Sequence, residues 1–298
     1  MHHIISIKDF GREEIDSLLD KAEEIRNKGI YKRTLEGKIA AMLFFEPSTR
    51  TRMSFTSALN RLGGVAITVD SVEGSSISKG ETLSDTIRVV SSYVDVIILR
   101  HPKEGAARMA SEFSSVPVIN AGDGAGQHPS QTLLDLYTIR ENMPLDGIDV
   151  GLLGDLRYGR TAHSLACALT NYDAVLHTIA PPGLEMPDSL MNDLREKGLE
   201  IIEHENLESA VKELDVLYAT RIQRERFPDS ASFSSIANSY RITPEILEGV
   251  RDSLILMHPL PRAGEIDPAV DSLPYAKYFR QAENGIPVRM AMLEETIL

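Results

Sequence analysis

Ile39-Ala40-Ala41-Met42-Leu43-Phe44-Phe45-Glu46-Pro47-Ser48-Thr49-Arg50-Thr51-Arg52-Met53-Ser54-Phe55-Thr56-Ser57-Ala58-Leu59-Asn60-Arg61-Leu62 is the stretch whose reading decides the fold. Its first seven residues form an apolar run of the length of a buried strand. Phe55, Ala58, Leu59 and Leu62 then recur at helical spacing, and Gly63-Gly64 ends the stripe. A buried strand that passes straight into a helix predicts a parallel sheet flanked by helices.

Outward from this stretch the alternation continues. Upstream, Ile15, Leu18, Leu19, Ala22 and Ile25 predict an amphipathic helix over 12–27, stopped at Gly29. Downstream, strands are expected at Val65–Val69, Asp95–Leu99 and Val116–Ile119, and helices at Thr82–Ser92, Ala106–Phe113 and Pro129–Glu141. After Asn142-Met143-Pro144 the pattern restarts, with strands at Asp149–Leu153, Ala174–Ile179, Leu199–Ile202, Val216–Ala219 and Leu254–Met257. Two such series, joined near residues 138–148, predict an α/β protein of two domains, each a mainly parallel sheet flanked by helices. In such sheets ligands bind beyond the carboxyl ends of the strands.

Composition narrows the function. The chain has 31 Lys and Arg against 44 Asp and Glu, a net charge of −13, so nucleic acid and anionic membrane are not expected partners. Basic residues gathered in short motifs then call for a small anionic ligand. Cys167 is the single cysteine, so no intrachain disulfide forms; a buried, inert thiol and a cytoplasmic location are expected. No signal peptide and no run of about 20 apolar residues is visible.

The motifs follow strands. Ser48-Thr49-Arg50-Thr51-Arg52 puts hydroxyls and guanidinium groups at a helix N-terminus; this reads as a phosphate site, or as an N-cap with solvated arginines. Ser75-Ser76-Ile77-Ser78-Lys79-Gly80 is a polar loop, either a lysine-bearing lid or a solvated connection. Arg100 ends the Asp95–Leu99 strand, pointing to the ligand crevice or standing as an edge arginine. Pro129 suits a first helical position, which places His128 at the cap and Gln131 on the same side, within reach of one carbonyl.

In the second series, Gly154-Asp155-Leu156-Arg157-Tyr158-Gly159-Arg160 joins a strand to a helix without the full dinucleotide-binding spacing, and Arg160 suits a carboxylate. His163 reads as a packing or hydrogen-bonding residue. Arg221 and Gln223 share one face of an extended segment. His258-Pro259-Leu260-Pro261 invites a cis peptide and a rigid, exposed carbonyl. The histidines lack metal-ligand spacing along the chain, so no metal is expected, and nothing marks a covalent nucleophile.

FFEPSTRTRMSF, SSISKGETLSDTI, LRHPKEGAARMASEF, NAGDGAGQHPSQTLLDLYTI, GDLRYGRTAHSL, TRIQRERF, MHPLPRAGEID and NGIPVRMAML, in this order from about residue 40 to the C-terminus, closely resemble the catalytic chains of aspartate carbamoyltransferases. The resemblance implies a carbamoyl-phosphate domain over 1–138, with a C-terminal helix near 284–298 packing back on it, and an aspartate domain over 139–283. It implies transfer of the carbamoyl group of carbamoyl phosphate to aspartate, with no cofactor. Ser48, Thr49, Arg50 and Thr51 would hold the phosphate, and Arg100 both phosphate and carbamoyl groups. His128, Gln131 and the Leu260 carbonyl would address the carbamoyl end. Arg50, Thr51, Arg100 and His128 would carry the catalytic charge stabilisation. Arg160, Arg221 and Gln223 would bind aspartate, with Ser75 and Lys79 from a neighbouring subunit of a homotrimer. Glu46 would bridge to Arg160 and Arg226 on domain closure, and Arg289 would lie near the site.

The stretch Arg100–Phe113 also resembles catalytic chains that pair with a zinc-binding regulatory chain. Thr56 and Gly126 depart from the usual Glu and Asn, and local packing effects are expected of both. The nearest rival is ornithine carbamoyltransferase, whose His-Cys-Leu-Pro loop is absent here, since Pro259 follows His258. A nucleotide-binding oxidoreductase or a non-catalytic binding module on the same scaffold is a remoter one.

Overall fold

The computed structural model describes residues 2–29, 32–69, 80–124, 126–222 and 239–298. The chain divides into two compact units, Met1–Leu134 with Asn284–Leu298, and Asp135–Glu283.

The first unit opens with α1 (Arg12–Lys28), closed by Gly29 in the left-handed region at φ 61. The opening stretch forms β1 (Ile39–Phe44) and α2 (Thr49–Arg61), as its two periodicities require. Then follow β2 (Val65–Val69), α3 (Leu83–Val90), β3 (Val96–His101), α4 (Ala106–Phe113), β4 (Val118–Asp123) and the start of α5 (Pro129–Asn142), which belongs to the second unit from Asp135 on. The four strands make one parallel sheet in the order β2-β1-β3-β4. Leu43, Phe45, Ile97, Leu99 and Val118 bury one face of it against Ile87, Ala107 and Ala110 from α3 and α4.

The second unit contains β5 (Ile148–Leu153), α6 (Arg160–Leu169), β6 (Ala174–Ile179), α7 (Asp188–Glu196), β7 (Glu200–His204), the single turn α8 (Leu207–Ala210), β8 (Val216–Ala219) and β9 (Ile255–Met257). These strands form a second parallel sheet, in the order β7-β6-β5-β8-β9. The final helix, α9, spans Tyr278–Ile297. Cys167 is buried in α6, as its apolar neighbours predict. No helix among the described residues is long and apolar enough to cross a membrane.

Each sheet has a point where strand order reverses. In the first the chain leaves β1 for β2 on one side and later adds β3 on the other; in the second the same happens between β5 and β8. Crevices form at such switch points, beyond the carboxyl ends of the strands. The ends of β1 and β3, and of β5 and β8, with the segments that follow them, carry Arg50, Arg52, Arg100, Arg157, Arg160 and Arg221.

Candidate active site

In the first unit, the Phe45 N–H donates to the Arg100 carbonyl at 2.9 Å, so the motif after β1 starts beside the end of β3. Ser48 is the N-cap of α2, with φ −158 and ψ 89, yet its side chain makes no capping hydrogen bond. Of the two readings open for the motif, the cap is therefore not the one its hydroxyl adopts. The first turn of α2 offers N–H groups and the positive end of the helix dipole to an anion. Thr51 is buried and Arg50 is exposed on the same turn.

Arg100 is buried, at 8% exposure, and a carbonyl and a carboxylate direct its fork. Its Nη1 donates to the Ala121 carbonyl at 3.0 Å, and its Nη2 pairs with Glu46 Oε2 at 3.2 Å. The Ala121 carbonyl is in reach because the β3–β4 register slips between Leu99 and His101: Leu99 pairs with Asn120, His101 with Asp123. Such a bulge re-aims local groups. The extra residue falls at Ala121-Gly122, where Gly122 has φ 115. A Cβ on Gly122 would lie 2.8 Å from Arg100 Nη1 and 3.4 Å from His128 Cδ2. Gly122 is thus the place where the guanidinium and the imidazole close on the backbone, and no other residue fits.

Asp123 holds this loop. Its Oδ1 accepts from the Gln127 N–H at 2.8 Å and from Asn120 Nδ2 at 3.1 Å, and its Oδ2 from the Gly105 N–H at 2.9 Å. A Cβ at Gly126 would stand 2.8 Å from Asp123 Oδ1, so Gly126 suits this placement of Asp123. His128 is buried, and its carbonyl accepts from the Gln131 and Thr132 N–H groups at 2.9 and 3.1 Å, opening α5. Gln131 is half-buried. His101 packs edge-on to Phe45, and burial together with the Lys103 charge lowers its pKa, so it is neutral at pH 7. Arg289 lies over the Phe55 ring and donates to Ser54 Oγ at 2.9 Å, bracing α2. Thr56 is a half-buried residue of the same helix. The arrangement presents helix N–H groups, hydroxyls, two guanidinium groups and an imidazole, a set suited to a phosphate joined to a polarisable carbonyl.

In the second unit, Arg160 opens α6 and is half-buried. Gly154, at φ 117, lets Thr220 approach: a Cβ there would lie 2.4 Å from the Thr220 carbonyl. Thr220 in turn bonds the Leu153 carbonyl through its N–H at 2.7 Å and its hydroxyl at 2.9 Å, which brings exposed Arg221 out beyond β8. His163 Nε2 lies 2.6 Å from the Leu156 carbonyl, a structural bond in keeping with its expected role.

The loop after β9 has a cis Leu260-Pro261 peptide and Leu260 at φ 55. A buried polar chain holds it. Tyr218 Oη and Gln281 Nε2 donate to the two Asp135 oxygens at 2.9 and 2.6 Å, and Gln281 Oε1 accepts the His258 N–H at 2.8 Å. His258 Nδ1 accepts the Leu260 N–H at 2.8 Å and its Nε2 donates to Glu265 Oε1 at 2.6 Å, a tautomer assigned from these partners. Asp123, Gly122, Asp135, Gln281 and Glu265 are what sequence reading misses: each acts by holding another residue in place. Ser75, Lys79, Gln223 and Arg226 lie outside the described residues.

Residues 2–141 match the family model of the aspartate/ornithine carbamoyltransferase carbamoyl-P binding domain, and residues 146–296 that of the Asp/Orn binding domain. The aspartate carbamoyltransferase catalytic subunit of Methanoculleus marisnigri is 69% identical over 297 residues, and that of Methanosphaerula palustris 65%, with 100% of both chains covered in each case. The catalytic subunit of M. jannaschii aspartate transcarbamoylase superposes with a TM-score of 0.94 at 53% identity, covering 100% of this chain and 98% of that one. Aspartate transcarbamoylase from Trypanosoma cruzi, in complex with N-(phosphonacetyl)-L-aspartic acid, gives 0.92 at 40% identity, covering 99% and 96%. With both family models matched along the chain and full-length relatives agreeing, the chain belongs to the aspartate/ornithine carbamoyltransferase family.

Proposed function

We propose that the chain transfers the carbamoyl group of carbamoyl phosphate to the amino group of L-aspartate, giving N-carbamoyl-L-aspartate and phosphate. The observation that carries this reading is Arg100, buried at the β1/β3 switch point, its fork set by Glu46 and Ala121 and lying with His128 against Gly122. Ser48, Thr49, Arg50 and Thr51 hold the phosphate, and Arg100, His128, Gln131 and the Leu260 carbonyl address the carbamoyl group. Arg160, Arg221 and Gln223 take the two aspartate carboxylates. The aspartate nitrogen attacks the carbamoyl carbon, and the C–N bond forms as the carbonyl oxygen becomes an oxyanion. Arg50, Thr51, Arg100 and His128 stabilise that charge, worth about 10²–10³ in rate for each donor of such a set. The C–O bond to phosphate then breaks, and the nitrogen's proton leaves with the phosphate. Aspartate rather than ornithine fits Arg221 with Gln223, which suit a second carboxylate, and Pro259 after His258, where the ornithine family has His-Cys-Leu-Pro; the names of the relatives support it.

The chain works as a homotrimer in which Ser75 and Lys79 complete a neighbour's site, and the Arg100–Phe113 stretch receives a zinc-binding regulatory chain; the catalytic-subunit names of the relatives support this larger assembly. Light scattering with and without such a chain reads the mass directly. For the reaction itself, N-(phosphonacetyl)-L-aspartate is expected to raise the melting temperature more than phosphate and succinate supplied together. No shift at saturating compound would overturn the assignment.

A further inference from the structure

His177, in the middle of β6, is 1% exposed, a costly place for an imidazole unless both ring nitrogens are satisfied. Both are. Nε2 lies 3.0 Å from Asp149 Oδ1, and Nδ1 lies 2.8 Å from Nε2 of His204. The two ring planes lie within 15° of each other with centroids 5.1 Å apart, the edge-to-edge arrangement of an in-plane N–H···N bond. The parallel register sets His177 against Ile202 and Ile179 against His204, so both imidazoles rise from one face of β6–β7. Ile179 on that face packs with Leu207, Ala210, Val211 and Leu214. The turn after α8 therefore carries Glu213 to the same place, and one donor atom from each of His177, His204 and Glu213 lies within 4.8 Å of the others.

Asp149 gives the cluster its direction. Its Oδ2 binds Arg251 Nη1 at 3.0 Å, Arg251 also reaches Asp215 Oδ1 at 2.8 Å, and Asp215 Oδ2 accepts the Asp149 N–H at 3.0 Å. A carboxylate fixed in this way accepts the His177 Nε2–H, and the lone pair is left on Nδ1, facing His204. Carboxylates hold metal-ligating imidazoles by their second nitrogen in the same manner.

We propose that His177 Nδ1, His204 Nε2 and the Glu213 carboxylate form a site for a divalent transition-metal ion of the zinc class, apart from the carbamoyl-transfer machinery. In the arrangement seen here His204 Nε2–H donates to His177 Nδ1. On binding, His204 carries its proton on Nδ1 instead, and both lone pairs turn to the ion with no net proton released. Metal–nitrogen bonds of about 2.0–2.1 Å would part the two nitrogens to about 3.3 Å around a tetrahedral ion. Half-buried His204, on the edge strand, can make that move. Two imidazoles with one carboxylate favour zinc-class ions over calcium or magnesium, which take oxygen ligands. The ion would tie β6, β7 and the turn after α8 together, with water at the fourth position.

The test uses the full chain, stripped with a chelator and titrated with Zn²⁺ against a chromophoric indicator. One ion per chain is expected, with strong visible absorption when Co²⁺ is substituted. His204→Gln should abolish binding, and Glu213→Gln should weaken it by more than about tenfold, the loss that removal of even an outer partner causes. At 100 times the dissociation constant the ion favours the folded chain about 100-fold, so Zn²⁺ should raise the melting temperature of the wild type and not of H204Q. Both variants should retain carbamoyl transfer, which checks their fold. Failure of the wild type to bind, or equal binding by H204Q and E213Q through another group such as His2-His3, would overturn the proposal.

Discussion

Arg100 concentrates the chemistry of the first half-site in one side chain. Its fork meets a carboxylate and a carbonyl in fixed directions, and lysine, a point charge on a flexible stem, cannot copy that. Arg100→Ala should lower kcat/KM by about 10²–10³, and Arg100→Lys should recover little of it; steady-state kinetics reporting a near-normal lysine variant would contradict the role. Gly122 is tied to the same fork. Gly122→Ala forces a Cβ to 2.8 Å from Arg100 Nη1 at φ 115, so it should cost about 1–3 kcal/mol of stability and lower kcat as well. Urea unfolding and kinetics read the two losses separately. Arg100 and His128 were legible in the sequence because each follows a strand. Gly122 was not: Asn120-Ala121-Gly122-Asp123-Gly124-Ala125-Gly126 offers three glycines, and only the bulge decides which one meets the guanidinium.

Among the elements, apolar run and helical stripe sufficed for β1 and α2, and the same reading placed all nine strands of the described residues to within a few residues. The largest departure is β4, expected over Val116–Ile119 and found over Val118–Asp123. Pro117 has no N–H for the ladder, which moves the start, while pairing continues through Gly122, a residue that reads as loop. The β9 loop shows what local patterns cannot reach. The two prolines and His258 mark it, but Glu265, Gln281 and Asp135, which hold it, carry no periodic signal. Burial alone would raise the Glu265 pKa, but the hydrogen bonds from His258 and the Ala263 N–H outweigh it and hold the group below its ordinary 4.5. A carboxylate depressed in the folded state adds stability that is present above its unfolded value and lost as pH falls through the folded one. Glu265→Gln should therefore lower the urea midpoint at pH 7, with the gap to wild type narrowing below pH 4.5. A gap that stays constant down to pH 3 would count against the His258–Glu265 bond.

At the scale of the whole molecule, an acidic chain of net charge −13 sets Arg50 and Arg100 at the strand-order reversal of one unit and Arg160 and Arg221 at that of the other. Both substrates of the proposed reaction are polyanions, which accounts for local positive charge in a protein that otherwise repels them. Periodicity alone gives two α/β units, because buried parallel strands and amphipathic helices differ in period and length. The choice of substrate came from eight motifs in order, and the full-length relatives agree with it. The most direct test supplies the purified chain with isotope-labelled carbamoyl phosphate and equal aspartate and ornithine, and separates the products. N-carbamoyl-L-aspartate as the labelled product is the predicted result; citrulline without carbamoylaspartate would contradict the account.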